Sequence, residues 1–191
     1  MNKSNYQKIM RTQQRDVCNE LIEELGNSLC LLSLAIICDK FTDGNGNTFT
    51  PKKIMNLYNY VNEEKQKWSL SENDDVKELV RIAKTEKEFI YQSCKQIPFT
   101  NFLKLARINA KRSAKDLNLR MYLECGYCIC MVWLDDVLKK HYRLNLENRI
   151  DFVAYMVDFI DSIARGYVTI DSFEDFFIEE YGWNIRTGEI I

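Results

Sequence analysis

The sequence predicts an all-α protein, and three observations carry that prediction. There are only 7 glycines and 2 prolines among 191 residues, too few for the many turns of a sandwich or barrel. Apolar residues recur at helical spacing through most of the chain. Cap residues and glycine stops bracket those stretches. Hydrophobic residues at 46% and charged residues at 28% are the balance of a globular protein, which excludes disordered, collagen-like and membrane classes.

Each element follows in order. Ser4 caps a first helix from about Asn5 to Leu25, and Gly26-Asn27 stops or kinks it. A nearly all-apolar helix from about Ser28 to Lys40 comes next; apolar on every face means buried. Residues 41–50, FTDGNGNTFT, form the one glycine-rich loop, with a short hairpin pairing Phe41-Thr42 with Thr48-Phe49. Thr50 and Pro51 give an N-cap and a first-turn proline for a helix reaching Trp68. Asp75 with Glu78 reads as a capping box opening a helix to about Lys95. Pro98 ends that region and Thr100 caps the next. Residues 101–141 form one long helix, or two in series broken near Asn118 or Gly126. Glu147 to Arg165 make another, stopped by Gly166. Asp171 with Glu174 opens a short helix that Gly182 ends. The total is seven to eight helices.

The two capping boxes lie 96 residues apart. At the same offset Asn5, Lys8 and Arg11 meet Asn101, Lys104 and Arg107, while Ile54, Val61 and Ile82 meet Ile150, Val157 and Ile178. The expectation is a tandem duplication: residues 4–95 and 100–182 as two four-helix units packed around one shared core.

The chain carries ICDKF at 37–41, then the glycine-rich loop, then PKKI at 51–54; later come RGYVTIDSF at 165–173 and IEEYG at 178–182. In this it resembles small helical proteins carried by prophages and mobile elements of low-GC Gram-positive bacteria. The first three segments fall in the first unit and the last two in the second, so neither unit holds the whole pattern. The resemblance implies a host-interaction role such as inhibition of host defence, an anti-CRISPR protein being the favoured example. It transfers no catalytic residues.

Charge is unevenly distributed. Residues 1–120 hold 20 Lys+Arg against 15 Asp+Glu, and residues 121–191 hold 6 against 13, so a net charge of −2 conceals opposite halves. Lys104, Arg107, Lys111 and Lys115 form one stripe at helical spacing, with Arg112 beside it and Ile108 within it; Ala106, Ala110 and Ala114 lie opposite. Lys8, Arg11 and Arg15 make a similar stripe. Trp183, beyond the Gly182 stop, is a candidate interface residue. These residues are the expected partner-binding set, facing a host protein or ribonucleoprotein. A phosphate backbone is the alternative partner, and a solvated helix face is the plain one.

Other constellations point to little chemistry. CGYCIC, Cys125 to Cys130, has Cys-x-x-Cys spacing, but its flanks are helix core and its third thiol points away, so no metal site is expected. All seven cysteines are expected reduced, and a cytoplasmic location follows from them and from the lack of a signal-like start. The DGNGN segment, Asp43 to Asn47, lacks the glycine and terminal glutamate of a calcium loop. Asp135-Asp136 with Asp158 and Asp161, or Glu20 with Glu23-Glu24, raise a magnesium-dependent nucleotide pyrophosphatase as a third reading, though such acidic spacings are ordinary on helix surfaces. With one histidine, no nucleophile elbow and no P-loop, the expectation is a non-catalytic binding protein. It needs no cofactor and has no membrane partner.

Overall fold

Two helices carry apolar side chains on every face, and the others arrange around them. The computed structural model describes residues 24–42, 46–67, 73–106, 117–184 and 189–190. The fold is all-α, with eight helices among the described residues. Helix α1 occupies residues 24–40. There follow α2 (Pro51–Gln66), α3 (Asn73–Thr85), α4 (Glu88–Gln96), α5 (Phe99–Leu105), α6 (Leu117–His141), α7 (Leu146–Arg165) and α8 (Ile170–Tyr181). A minimal ribbon ends the chain: β1 (Trp183–Asn184) runs antiparallel to β2 (Glu189–Ile190), Trp183 opposite Ile190. Among the described residues no helix is long and apolar enough to cross a membrane.

Helix α6 is the hub, because Tyr127 to Leu134, Val137 and Leu138 are all buried. Helices α2, α3 and α4 pack on it, and α4 and α5 also pack on α7. Helix α1 is buried from Leu29 to Cys38. A Cβ added at Gly26 would lie 3.3 Å from the Cys130 sulfur, so glycine there permits α1 and α6 to approach. Gly26 and Asn27 lie inside the described helix and do not stop it, and the glycine serves packing; the helix expected from Asn5 lies outside the described residues up to residue 23.

The ends of the two central helices are closed by partners from the other half of the chain. Tyr142, just past α6, sets its ring edge-on to Phe49 with centroids 5.3 Å apart, and His141 stacks on Tyr60 of α2. Phe41, just past α1, meets Phe152 and Tyr155 of α7 at 6.4 and 6.2 Å.

Several punctuation marks fall where sequence places them. Pro51 starts α2, and Gly166 (φ 78°) and Gly182 (φ 61°) end α7 and α8 in the left-handed conformation. A Thr42–Thr48 bridge closes the glycine-rich loop. Others are corrected. The helix expected from Asp75 to Lys95 divides at Glu86-Lys87, because the Lys87 ammonium turns inward to the Asp135 and Asp136 carboxylates, 2.8 Å from each. Pro98, not Thr100, takes the N-cap position of α5. The capping box of α8 is Thr169 with Ser172 rather than Asp171 with Glu174. Gly126 lies inside α6 and breaks nothing.

At an offset of 96 residues, α2 falls on 147–162, inside α7, and α3 falls on 169–181, matching α8 to within one residue. Helix α1 falls on 120–136, inside α6. Helix α4 has no helical counterpart among the described residues, for its image begins at Asn184, the last residue of β1. Of the caps expected to match, Thr100, Asp75 and Asp171 all sit within helices, and Ser4 lies outside the described residues.

Candidate interaction surface

The expected basic stripe lies largely outside the described residues, which do not include Arg107, Ile108, Lys111, Arg112 and Lys115, nor Lys8, Arg11 and Arg15. Its first member, Lys104, is exposed, and its ammonium donates to the Ala164 carbonyl in the last turn of α7. Leu103 and Ala106 are buried on the other side of that short segment. Trp183 is a correction. It is 4% exposed, and its ring stands edge-on to Phe177 at 6.0 Å, so it anchors the terminal ribbon to α8 and offers no surface.

A different basic surface forms where α2 meets the end of α6. Lys52 and Lys53 occupy the first turn of α2, where the helix dipole disfavours cations. Lys139, Lys140 and His141 occupy the last turn of α6, where it favours them. Tyr142 brings the two ends together: its hydroxyl donates to the Lys53 carbonyl at 2.7 Å. Burial pushes that phenol well above its usual pKa, so it stays a donor. The Lys53 ammonium lies 5.9 Å from the Phe49 ring centroid, a cation–π spacing. His141 lies flat on Tyr60, centroids 3.7 Å apart and planes 13° from parallel.

Arg143 follows with φ of 56°. The Leu144 amide reaches back to the Leu138 carbonyl at 3.2 Å, a wide closure of the helix end around a residue in the left-handed conformation. Glycine is the usual occupant of the left-handed position in that motif, and an L side chain there costs about 1 kcal/mol. An exposed arginine held in that conformation is the kind of local strain that gathers at functional places.

Beneath this surface lies one buried acid. Glu64, 6% exposed, accepts from Lys140 and Lys67, each at 2.8 Å. Burial alone would raise its carboxyl pKa, but the two lysine hydrogen bonds outweigh burial and hold it below the usual range. Lys52, Lys53, Lys67, Lys139, Lys140 and Arg143 are all exposed. Of the acids on the same helix pair, Glu64 is shared between two lysines and Glu63 is exposed on α2, while Glu124, Asp135 and Asp136 of α6 pair with Lys95 and Arg120, with Arg149 and Lys87, and with Lys87. These six cations stand together on a chain whose formal charge is −2.

Of the acidic residues raised for metal chemistry, Glu20 and Glu23 lie outside the described residues, and three of the others pair with cations. Asp135 pairs with Arg149 at 2.6 Å and with Lys87, Asp136 pairs with Lys87, and Asp161 pairs with Arg165 at 2.7 Å. Among the described residues no group of three or more His, Cys, Asp or Glu side chains is arranged to hold a metal ion. The six described cysteines are free thiols.

One signal could have located the α2/α6 surface from sequence. KKHYR, residues 139–143, holds three of the six cationic side chains of the acidic C-terminal part. Its partner pair Lys52-Lys53 stood inside the PKKI segment, but only the fold brings the two together. In comparisons with known proteins, no family model, curated protein or solved structure matches this chain.

Proposed function

We propose that this is a non-catalytic binding protein whose α2/α6 surface meets an anionic face of a protein or ribonucleoprotein. The single observation that carries the reading is the joining of Lys52-Lys53 to Lys139-Lys140 and Arg143 through the Tyr142–Lys53 hydrogen bond. Clustered cations with rigid aromatic supports steer an acidic partner and fix its register. The resemblance to prophage-borne helical proteins fits an inhibitor that occupies host machinery.

The test is a pull-down with the full chain from a low-GC Gram-positive lysate, with and without nuclease. Wild type is compared with the double variant Lys139→Glu, Arg143→Glu. Both sites are exposed, so circular dichroism and the unfolding midpoint should stay close to wild type. Partner affinity should fall by more than tenfold, about 1.4 kcal/mol. Retention that survives nuclease supports a protein face. Retention that nuclease abolishes, with a steep salt dependence, supports nucleic acid instead. Equal retention by both forms would place the contact elsewhere.

A further inference from the structure

An exposed ring stands inside the basic surface. Residues 140–142 lie along one face of α2: Lys140 reaches Glu64 at 2.8 Å, the His141 ring lies flat on Tyr60, and the Tyr142 hydroxyl donates to the Lys53 carbonyl at 2.7 Å. From Lys53 to Glu64 helix α2 rises about 16 Å, and His141 stands between those two ends. Tyr60 covers one face of the imidazole, with planes 13° from parallel. His141 is exposed all the same, so what it shows to solvent is its other face and its edges. Tyr60 is partly buried and packed against the core, which gives the outer ring a fixed support.

The cations around the ring can take an anion. Lys52, Lys139 and Arg143 are exposed and make no ion pair among the described residues. Lys67 and Lys140 share the single charge of Glu64. The charges alone would suit any anionic partner, and the ring decides between them. Carboxylates, the anions of a protein face, have no aromatic face to lay on an imidazole. A nucleobase has one, and aromatic and histidine side chains are the platforms on which unpaired bases stack. In a duplex each base is already covered by its neighbours, so the ring selects a single strand.

We propose that the α2/α6 surface binds single-stranded nucleic acid, with one unpaired base stacked on the outer face of His141 and the flanking phosphates held by Lys52, Lys53, Lys139 and Arg143. The inference rests on the reading of this surface as the contact with a ribonucleoprotein, and it names the strand as the part contacted. The phosphates supply affinity that falls with salt and carries no sequence information. The stack adds a sequence-tolerant contact, because every base has a π face. The surface should therefore prefer single strand to duplex and show little preference among sequences.

The test titrates labelled strands of about 12 nucleotides, a length within the range such grooves occupy, with the full chain and follows fluorescence anisotropy. RNA and DNA strands of one sequence, their duplexes, and a wholly abasic strand with the same phosphates are compared, the RNA and DNA arms telling which strand the surface takes. The favoured single strand should bind wild type about tenfold more tightly than its duplex or the abasic strand. His141→Ala should lose about tenfold for the natural strand and no longer distinguish it from the abasic one, whereas His141→Trp should keep both properties. Equal binding of natural and abasic strands by wild type, or a preference for duplex, would overturn the proposal, and that comparison needs no variant to fold. If no strand binds while the Lys139→Glu, Arg143→Glu variant still loses its lysate partner, the strand inference fails and the surface stands as a protein contact. If strands bind that double variant as well as wild type, the cationic surface itself fails, and this inference with it.

Discussion

Arg149 and Asp135 meet at 2.6 Å in a nearly waterless place, their side chains 12% and 3% exposed. Lys87, 13% exposed, approaches the other Asp135 oxygen at 2.8 Å, a charge contact without hydrogen-bond alignment, and reaches Asp136 at the same distance. The cluster joins the α3–α4 turn, α6 and α7. Asp135→Ala would leave two largely buried cations short of a partner and should cost about 3–5 kcal/mol. Asp136, with its side chain 36% exposed, should cost only about 0–1 kcal/mol on the same change. Urea titrations measure both, and equal losses would dissolve the distinction.

Arg143→Gly should separate stability from binding. Relief of the left-handed strain should raise the unfolding free energy by about 0.5–1 kcal/mol, less whatever the more flexible unfolded chain takes back. The same change should weaken the partner by removing a cation. A variant that gains stability and keeps full affinity would detach Arg143 from the surface proposed above.

Acid should loosen the join between α2 and α6. The folded Glu64 carboxyl titrates below its ordinary value because Lys140 and Lys67 hydrogen-bond it. A depressed folded pKa means that its stabilisation is complete above the unfolded value, about 4.3, and is lost as pH falls through the folded one. Glu64→Gln should therefore be less stable than wild type at neutral pH and should approach it in acid. Chemical denaturation at a series of pH values reads the convergence. A gap independent of pH would mean that shape, not charge, is what Glu64 supplies.

The 96-residue register predicts a superposition. Under least-squares superposition, residues 24–85 should overlay residues 120–181 as three successive helices, α1 on α6, α2 on α7 and α3 on α8. The boundaries already coincide to within a residue for α3 and α8. Different crossing angles in the two trios would mean that the shared lengths are accidental and that no duplication shaped the chain.

What could be read from the sequence was local. The central helices were legible because their apolar residues run around the full circumference, and the Gly166 and Gly182 stops because left-handed closures favour glycine. Lys87 was illegible as a helix break: its backbone departs from helix because Asp135 and Asp136, nearly fifty residues later, draw its ammonium inward. Trp183 looked like an interface ring because nothing in WNIRTGEII announces a two-residue ribbon folding it onto Phe177. The basic surface was half visible in KKHYR, and its other half needed the Tyr142–Lys53 contact.

The dependence of α2, α3 and α4 on α6 has a consequence for synthesis. During translation these three helices leave the ribosome well before the helix that covers them, at about 5–20 residues per second. Until α6 emerges, Leu57, Leu79 and Ile90, all fully buried in the finished protein, lack the surface they pack on. The first half should therefore wait as a loose, chaperone-accessible nascent chain rather than fold as it appears. Residues 24–106 expressed alone should stay unfolded and acquire protease resistance only when residues 117–191 are supplied as a second polypeptide.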